Sequence, residues 1–228
     1  MWLLRVPGVY RPQADTWLLA RALGEAGVPA GGRVLDIGTG TGALALTAAL
    51  AGAASVTAVD ISRRAVLTAR LNAALRRLPV RVHHGDVRVT SGPFDVVLAN
   101  PPYVPAGRAD LPTRGRARAW DAGLDGRAVI DRLCAAAPAL VAPGGMLLLV
   151  HSALCGVRAT LDRLELAGLH ACVIGRHLEP FGPVLRARRD LLRSRRLITD
   201  DQQHEELVVI RADHIPPTAA DDRLEPAA

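Results

Sequence analysis

The chain of 228 residues contains no lysine, and all 28 of its basic residues are arginines. We interpret this absence as the bias of a GC-rich coding sequence and not as a sign of function. Aromatic residues are also rare, at 3% of the chain, so the core must be built mostly from alanine, valine and leucine. Hydrophobic residues still reach 50%, which is enough for a full core, and the length favours a single domain.

Cysteine and histidine show no pattern that indicates a structural cross-link. Cys134, Cys155 and Cys172 are odd in number and widely spaced, which argues against a disulfide framework or a zinc knuckle. We therefore expect reduced, buried thiols and a cytoplasmic protein. The seven histidines form no ligand spacing, so the sequence predicts no metal site.

No stretch of the chain predicts a membrane segment. The apolar residues within 1–7 are too few for a secretory signal. Residues 37–59 carry no charge, yet several glycines interrupt them and a strand pattern surrounds Val56. These features favour a buried part of a soluble core over a membrane helix.

The charge of the chain is positive and unevenly placed. A net charge of +6 with a pI near 10.4 favours acidic partners such as RNA, ribosomes or acidic proteins. Six arginines lie within residues 186–206, which we interpret as a solvated loop or helix face; an RNA- or ribosome-facing patch is the alternative. Residues 213–228 are predicted to be a disordered acidic tail.

Strand and helix patterns alternate along most of the chain. Strands are predicted at 33–37, 55–59, 80–84, 94–99, 146–150, 169–175 and 206–210. Helices are predicted before the first strand, within 1–30, and at 42–52, 62–76, 127–140 and 154–167. This order predicts an α/β fold over 31–212, a doubly wound, mostly parallel, seven-stranded Rossmann-like sheet with helices on both faces.

A glycine-rich turn follows the first strand. The strand at 33–37 contains Asp36 and enters a turn in which Gly38, Gly40 and Gly42 alternate with threonines, and glycines at such a turn let a ligand approach the backbone. Asp60 ends the second strand, where an acidic residue suits a ribose diol. Together these residues resemble the S-adenosyl-L-methionine site of a class I methyltransferase. A turn that serves only packing, and a helix cap at Asp60, are the alternatives.

The most informative stretch is Phe94-Asp95-Val96-Val97-Leu98-Ala99-Asn100-Pro101-Pro102-Tyr103. Its apolar residues predict a buried strand, which the prolines end because proline has no N–H for a ladder. The stop leaves the Asn100 side chain, backbone carbonyls and Tyr103 at the carboxyl end of a strand, where ligands bind in open α/β sheets. An asparagine beside rigid carbonyls accepts hydrogen bonds from an NH2 group, which indicates chemistry on an amide or amino nitrogen.

The N-P-P-Y run after a class I glycine loop is similar to that of the HemK-type protein-glutamine N5-methyltransferases. Residues 9–19 resemble the V-Y-x-P-x-x-D-T-x-L-L opening of the family's short branch, which lacks the N-terminal helical domain, and residues 120–127 resemble its post-catalytic loop. The chain departs from the family at Ala14, where an acidic residue is usual, and at 180–203, which is longer than the family's hairpin.

The resemblance implies methyl transfer from S-adenosyl-L-methionine to a protein glutamine amide, in the Gly-Gly-Gln loop of a release factor. It assigns catalysis to Asn100, Pro101 and Tyr103, substrate contacts to Asn100, Pro102 and Tyr103, and cofactor contacts to the residues named next. These are Asp36, Gly38, Gly40, Gly42, Asp60, Asp86, Asn100, Tyr10 and Thr16. Asp36 would orient the amino end of the methionine, and Asp86 would contact the adenine. Tyr10 and Thr16, together with Asp15, would close over the cofactor. A plain turn at Asp86 and an N-cap at Asp15 or Thr16 are the alternatives.

Two further inferences concern partners. Members of the short branch can require a small zinc-binding activator subunit that covers an apolar edge. The same Asn-Pro pair also suits an exocyclic amino group of a flipped RNA or DNA base, or a protein lysine. The sequence shows no separate target-recognition domain, which argues against nucleic acid, whereas the excess of arginine argues for it.

Overall fold

A computed structural model describes residues 1–90 and 92–216. Its centre is a seven-stranded sheet of order β3-β2-β1-β4-β5-β7-β6, in which β7 runs antiparallel to both of its neighbours and the other pairs are parallel. This confirms the predicted fold. The strands are β1 (Arg33–Ile37), β2 (Ser55–Asp60), β3 (Val80–His84), β4 (Phe94–Ala99), β5 (Val141–Ser152), β6 (His170–Pro180) and β7 (His204–Asp213).

The helices pack against the sheet in two groups, α1 with α2 and α4 with α5, while α3 packs against β2 and β3. They are α1 (Ala14–Ala26), α2 (Ala43–Leu50), α3 (Arg63–Arg76), α4 (Ala128–Leu140), α5 (Val157–Leu166), α6 (Pro183–Ala187) and α7 (Arg189–Ser194). Within the described residues, none of the helices has the length and apolarity needed to cross a bilayer.

Aliphatic side chains fill the core, as the scarcity of aromatic residues predicts. Leu35 of β1, Leu98 of β4 and Leu148 of β5 are fully buried in the middle of the sheet. Burial of one such side chain contributes about 1.5–3 kcal/mol. Leu19 and Leu23 of α1 belong to the same core cluster, so the N-terminal segment is part of the main fold.

The order of the strands creates the cleft. After β1 the chain moves to β2 on one side, and β4 lies on the other side of β1, so the connections diverge at the carboxyl ends of β1 and β4. Ligands bind at such switch points. The register pairs Ile37 with Ala99, which brings Gly38 beside Asn100; a Cβ atom on Gly38 would lie 3.9 Å from the Asn100 carbonyl oxygen.

The last strands are longer than predicted. Arg211 and Asp213, an ion pair, continue β7 past its apolar residues, and these charges hide the strand in the sequence. The tail predicted to begin at 213 is corrected here, because Asp213 is the last residue of β7. His214 follows the strand and donates its N–H to the Gly145 carbonyl at 3.0 Å. The rest of that prediction concerns residues 217–228, which lie outside the described residues.

Two predictions about which residues are exposed are also corrected. The arginine-rich stretch forms α6 and α7, whose Leu185 and Leu192 are buried in the core, so it is not simply a solvated face. Cys134 and Cys155 are buried as expected, but Cys172 is exposed because it lies on β6 at the edge of the sheet.

Candidate active site

A cavity of about 430 Å³ opens at the carboxyl ends of β1, β2 and β4. This volume lies within the range of small-molecule sites, which is roughly 300–1,000 Å³. Its walls are the glycine turn, the end of β2, the N-P-P-Y run, the segment before α1 and the loop after Tyr103. The structure therefore brings the two main sequence motifs to one site.

The three glycines of the turn have different positions. Gly38 and Gly40 line the cavity, with φ of 71° and 56°, a left-handed conformation that favours glycine. Gly42 does not line it. A Cβ atom there would lie 3.2 Å from the Cβ of Ala69, so Gly42 allows α2 and α3 to approach closely.

Asp36 lies behind the turn and does not line the cavity. Its Oδ2 atom accepts hydrogen bonds from Thr39 Oγ1 at 2.5 Å and from the Ala45 N–H at 3.0 Å. Burial raises its pKa to about 6, against the lowering effect of these bonds. Asp36 therefore braces the turn, and the predicted contact with the methionine amino group stays a prediction.

Asp60 faces the cavity from the end of β2. Its two oxygens accept backbone N–H bonds from Ser62 at 2.7 Å and from Gly40 at 3.0 Å. Burial raises the pKa of Asp60, and the two backbone bonds oppose this effect. Because a carboxylate has about four acceptor sites, each oxygen retains capacity for a further donor such as a ribose hydroxyl.

Asp86 lies at the rim of the cavity and is already engaged. Its carboxylate accepts from the Arg88 N–H at 3.1 Å and forms an exposed ion pair with the Arg88 guanidinium at 2.7 Å. The hydrogen bond from the Arg88 side chain lowers the pKa of Asp86. The turn role is thus present in the structure, and the contact with adenine stays a prediction.

The side chain of Asn100 is held by the N-terminal helix. Its Nδ2 atom donates to Thr16 Oγ1 at 3.2 Å. This contact assigns the NH2 group of Asn100 to Thr16 and leaves Oδ1 as an acceptor. Asn100, Pro101, Pro102 and Tyr103 all line the cavity, and the binding of an NH2 group there stays a prediction.

Asp15 joins the N-terminal helix to the N-P-P-Y run. It is 3% exposed, and its Oδ2 atom accepts from the hydroxyls of Tyr10 at 3.0 Å and Tyr103 at 3.2 Å. Burial and the adjacent carboxylate raise the pKa of both tyrosines, which therefore stay neutral donors. Neither Asp15 nor Thr16 is an N-cap, because Gln13 takes that position.

The loop after Tyr103 returns to its own start. The Val104 N–H donates to the Trp120 carbonyl at 2.7 Å, and the Ala122 N–H donates to the Val104 carbonyl at 3.0 Å. The tip of the loop crosses to the other wall, where Arg118 Nη2 donates to the Ile61 carbonyl at 3.0 Å, beside Asp60. The loop therefore covers one side of the cavity.

Several supporting residues were missed by sequence reasoning. Glu205, at the start of β7, is 7% exposed, and burial raises its pKa to about 7 near Asp15. Cys155 Sγ donates to the Tyr103 carbonyl at 2.9 Å, and the buried Arg127 donates to the Cys155 carbonyl at 2.6 Å. Glu205 and Cys155 belong to no local motif, so the sequence holds no signal for them. Arg127 ends the 120–127 stretch that resembles the family's post-catalytic loop, but that stretch does not show its contact with Cys155. Among the residues that the structure describes, no cluster of three His, Cys, Asp or Glu side chains is placed to hold a metal ion.

A parallel sheet with a switch point, a glycine turn, an acidic residue ending β2 and an Asn-Pro pair together define a class I methyltransferase. The sequence profile of the methyltransferase small domain matches residues 2–114. A Methanocaldococcus jannaschii protein named as a protein N5-glutamine methyltransferase is 33% identical over 176 residues, which cover 77% of this chain and 88% of that protein. The chain belongs to the HemK-type protein-glutamine N5-methyltransferase family, whose members use S-adenosyl-L-methionine.

Other similar proteins agree with this assignment. A release factor glutamine methyltransferase of Deinococcus radiodurans is 46% identical over 147 residues, 62% of this chain and 52% of that protein. Among solved structures, the Mtq2-Trm112 complex of E. cuniculi, which methylates the termination factor eRF1, has a chain with a TM-score of 0.61 and 22% identity, covering 90% of this chain and 98% of that one. At that identity the structural match shows the fold alone.

Proposed function

We propose that this enzyme methylates the side-chain amide nitrogen of a glutamine in the Gly-Gly-Gln loop of a translation release factor, in the cytoplasm. The observation that carries the proposal is the orientation of Asn100. Thr16 holds its NH2 group, so Oδ1 is the atom available to an NH2 group in the cavity. Two relatives are named release factor glutamine methyltransferases, and these names support this choice of acceptor.

The cofactor would lie against Gly38, Gly40 and Asp60. Gly38 and Gly40 leave the backbone open to a ligand, and the Asp60 carboxylate has free acceptor capacity for two ribose hydroxyls. S-adenosyl-L-methionine, when bound, supplies an electrophilic methyl group on a sulfonium. Charge-assisted bonds to Asp60 would each contribute about 1.5–3 kcal/mol to binding.

The acceptor needs more help than the donor. An amide nitrogen is a poor nucleophile because its lone pair is delocalised into the carbonyl. The Oδ1 atom of Asn100 and the carbonyl oxygen of Pro101 would accept hydrogen bonds from its two N–H groups, which raises the electron density on nitrogen and aims it at the methyl group. As the nitrogen gains its bond to the methyl carbon, the bond from that carbon to sulfur would break, and one of the two N–H protons would leave to solvent. Tyr103 would pack against the planar amide. Catalysis then consists mainly of positioning and electrostatic stabilisation.

We also propose a small zinc-binding partner subunit, of the Trm112 kind present in the E. cuniculi complex. Leu67, Leu71 and Leu75 recur every four residues on α3 and are 52%, 42% and 60% exposed. β3, against which α3 packs, is the edge strand of the sheet: it pairs with β2, and no strand of the described residues pairs with its outer side. Adding such a subunit from the same genome should raise the melting temperature of the chain, and Leu71→Glu should abolish that rise. If the melting temperature of the unmodified chain does not rise when the subunit is added, the proposal of this partner is wrong.

A defined peptide tests the acceptor. The purified chain, with and without the partner subunit, is incubated with tritiated S-adenosyl-L-methionine and a release-factor peptide that contains Gly-Gly-Gln; the matched control contains Gly-Gly-Asn. We expect label only on the first peptide, located on the glutamine by mass spectrometry. Labelling of a cell lysate with and without RNase covers the alternative: label lost to RNase, with neither peptide labelled, would favour a nucleic-acid amino group.

A further inference from the structure

The arginine-rich segment between β6 and β7 reaches across to the loop that follows the N-P-P-Y run. Arg188 Nη1 donates to the Pro105 carbonyl at 2.9 Å, and its Nη2 lies 2.6 Å from Asp121 Oδ1. The side chains of this ion pair are only 22% and 8% exposed. One guanidinium therefore joins both ends of the loop.

Arg195 makes a second connection of the same kind. Its Nη1 atom donates to the Ala106 carbonyl at 2.7 Å and to the Leu124 carbonyl at 2.5 Å. Pro105 and Ala106 belong to one side of the base of the loop, and Leu124 to the other. The planar, permanently charged guanidinium suits such a role, because it presents several donors in a fixed geometry.

The two arginines stand on a rigid base. Phe181 precedes α6 and is buried, as are Leu185 of α6 and Leu192 of α7. The loop that they hold starts directly after Tyr103 and carries part of the cavity wall, including Pro112 and Trp120. The position of the wall on the acceptor side thus depends on the segment between β6 and β7.

We infer that Arg188 and Arg195 are positioning residues for the methyl acceptor, acting through the segment that follows Tyr103. This inference rests on the proposed function, because it names what the loop presents to the glutamine. Loss of either arginine would let the segment after Tyr103 shift, and with it the Pro101 carbonyl and the tyrosine ring. Misplacement of about 1 Å costs up to roughly 100-fold in rate.

Limited digestion with trypsin tests the clamp without any methyl acceptor. The exposed tip of the loop contains Arg108, Arg114 and Arg116, where trypsin cleaves. Arg188→Gln and Arg195→Gln should accelerate cleavage at these sites, mapped by mass spectrometry. The matched control is Arg186→Gln, an exposed arginine of α6, which should leave the cleavage rate unchanged.

Kinetics test the positioning. With the Gly-Gly-Gln peptide, kcat/KM should fall by about 10- to 100-fold in Arg188→Gln and Arg195→Gln, while the Kd for S-adenosyl-L-methionine, measured by calorimetry, stays within about twofold. A merely structural role would weaken cofactor binding to the same extent. Arg188→Lys keeps the charge and serves as the second variant if the glutamine substitution prevents folding; it should retain intermediate activity, because it loses the two-sided geometry.

Each outcome decides one of the two proposals. Unchanged cleavage, or faster cleavage with unaltered kcat/KM, overturns the positioning role, and so does an equal loss of cofactor affinity. If the unmodified chain leaves the peptide unlabelled both alone and with the partner subunit, the proposed function fails, and the cleavage rates alone decide whether the arginines hold the loop.

Discussion

The half of the site that would bind the cofactor and the half that would bind the acceptor are held in different ways. In the first, the contacts are short in sequence: Asp36 accepts from Thr39, three residues away, and Asp60 accepts from the N–H groups of Ser62, two residues away, and Gly40, twenty residues away. In the second, Tyr103 bonds Asp15 across 88 residues, and Arg195 bonds Ala106 across 89.

The difference separates two kinds of information in the chain. A local contact can be read from a sequence motif. The glycine turn and Asp36, which bonds it, lie side by side in the sequence. A distant contact forms only after the sheet has assembled. Even where both residues stand in motifs, as Asp15 and Tyr103 do, the sequence does not show that they bond each other. We therefore expect substitutions in the cofactor half to change binding of S-adenosyl-L-methionine, and those in the acceptor half to change turnover.

Asn100→Ala should produce the largest effect. Removing the acceptor oxygen should lower turnover by roughly 100-fold or more while cofactor affinity is kept, because Asp60 and the glycine turn are untouched. Single-turnover kinetics and calorimetry measure the two quantities. Near-normal turnover would refute the role of Asn100, and a parallel loss of affinity would show that the two halves are not separable.

Asp60→Ala should act on the other half. Loss of the carboxylate should raise the Kd for S-adenosyl-L-methionine by roughly 10- to 100-fold, because one or two charge-assisted hydrogen bonds are lost. Asp86→Ala is the matched control: its carboxylate is engaged by the Arg88 guanidinium, and we expect less than about a threefold change. An equal loss in both variants would establish the predicted adenine contact at Asp86.

Asp15→Asn should disturb the connection between the halves. The amide would bring a donor toward the two tyrosine hydroxyls, so Tyr103 would lose its anchor and turnover should fall by roughly 10-fold. We also expect a loss of about 1–3 kcal/mol in the free energy of unfolding, measured with urea. Asp190→Asn, at a fully exposed carboxylate, should change neither quantity. Unaltered turnover in Asp15→Asn would show that Asp15 has no role in positioning Tyr103 for catalysis.

Glu205→Gln lies farthest from the chemistry and should act on the free energy of unfolding, with an effect that depends on pH. Burial raises the pKa of Glu205 from 4.5 to about 7, so its contribution to stability is complete below pH 4.5 and is lost as the pH rises through 7. Glutamine does not ionise, so the variant should be more stable than the unmodified chain by about 3 kcal/mol at pH 8 and equally stable near pH 4. Glu206→Gln serves as the control, since this glutamate is partly exposed and paired with Arg176. A difference independent of pH in Glu205→Gln would contradict the assignment.

Most of the fold was predictable because its patterns are local. The apolar run of β4 and the prolines that end it marked a buried strand and its stop, and the glycine turn marked the cofactor side. The ends of β7 were not predictable, since Arg211 and Asp213 pair with each other and read as loop residues. The packing of α6 and α7 was hidden for a similar reason: two buried leucines stand among many arginines.

The sequence by itself determined the order of strands and helices, the family and the positions of the two motifs, because each depends on neighbouring residues. Only the tertiary structure decided that Asp36 and Gly42 stand behind the cavity wall, that Asp15 and Thr16 hold Tyr103 and Asn100, and that arginines from the last connection hold the loop. The physical reason is that a side chain's hydrogen-bond partner is set by where the sheet places it, and here that partner is often more than 80 residues away.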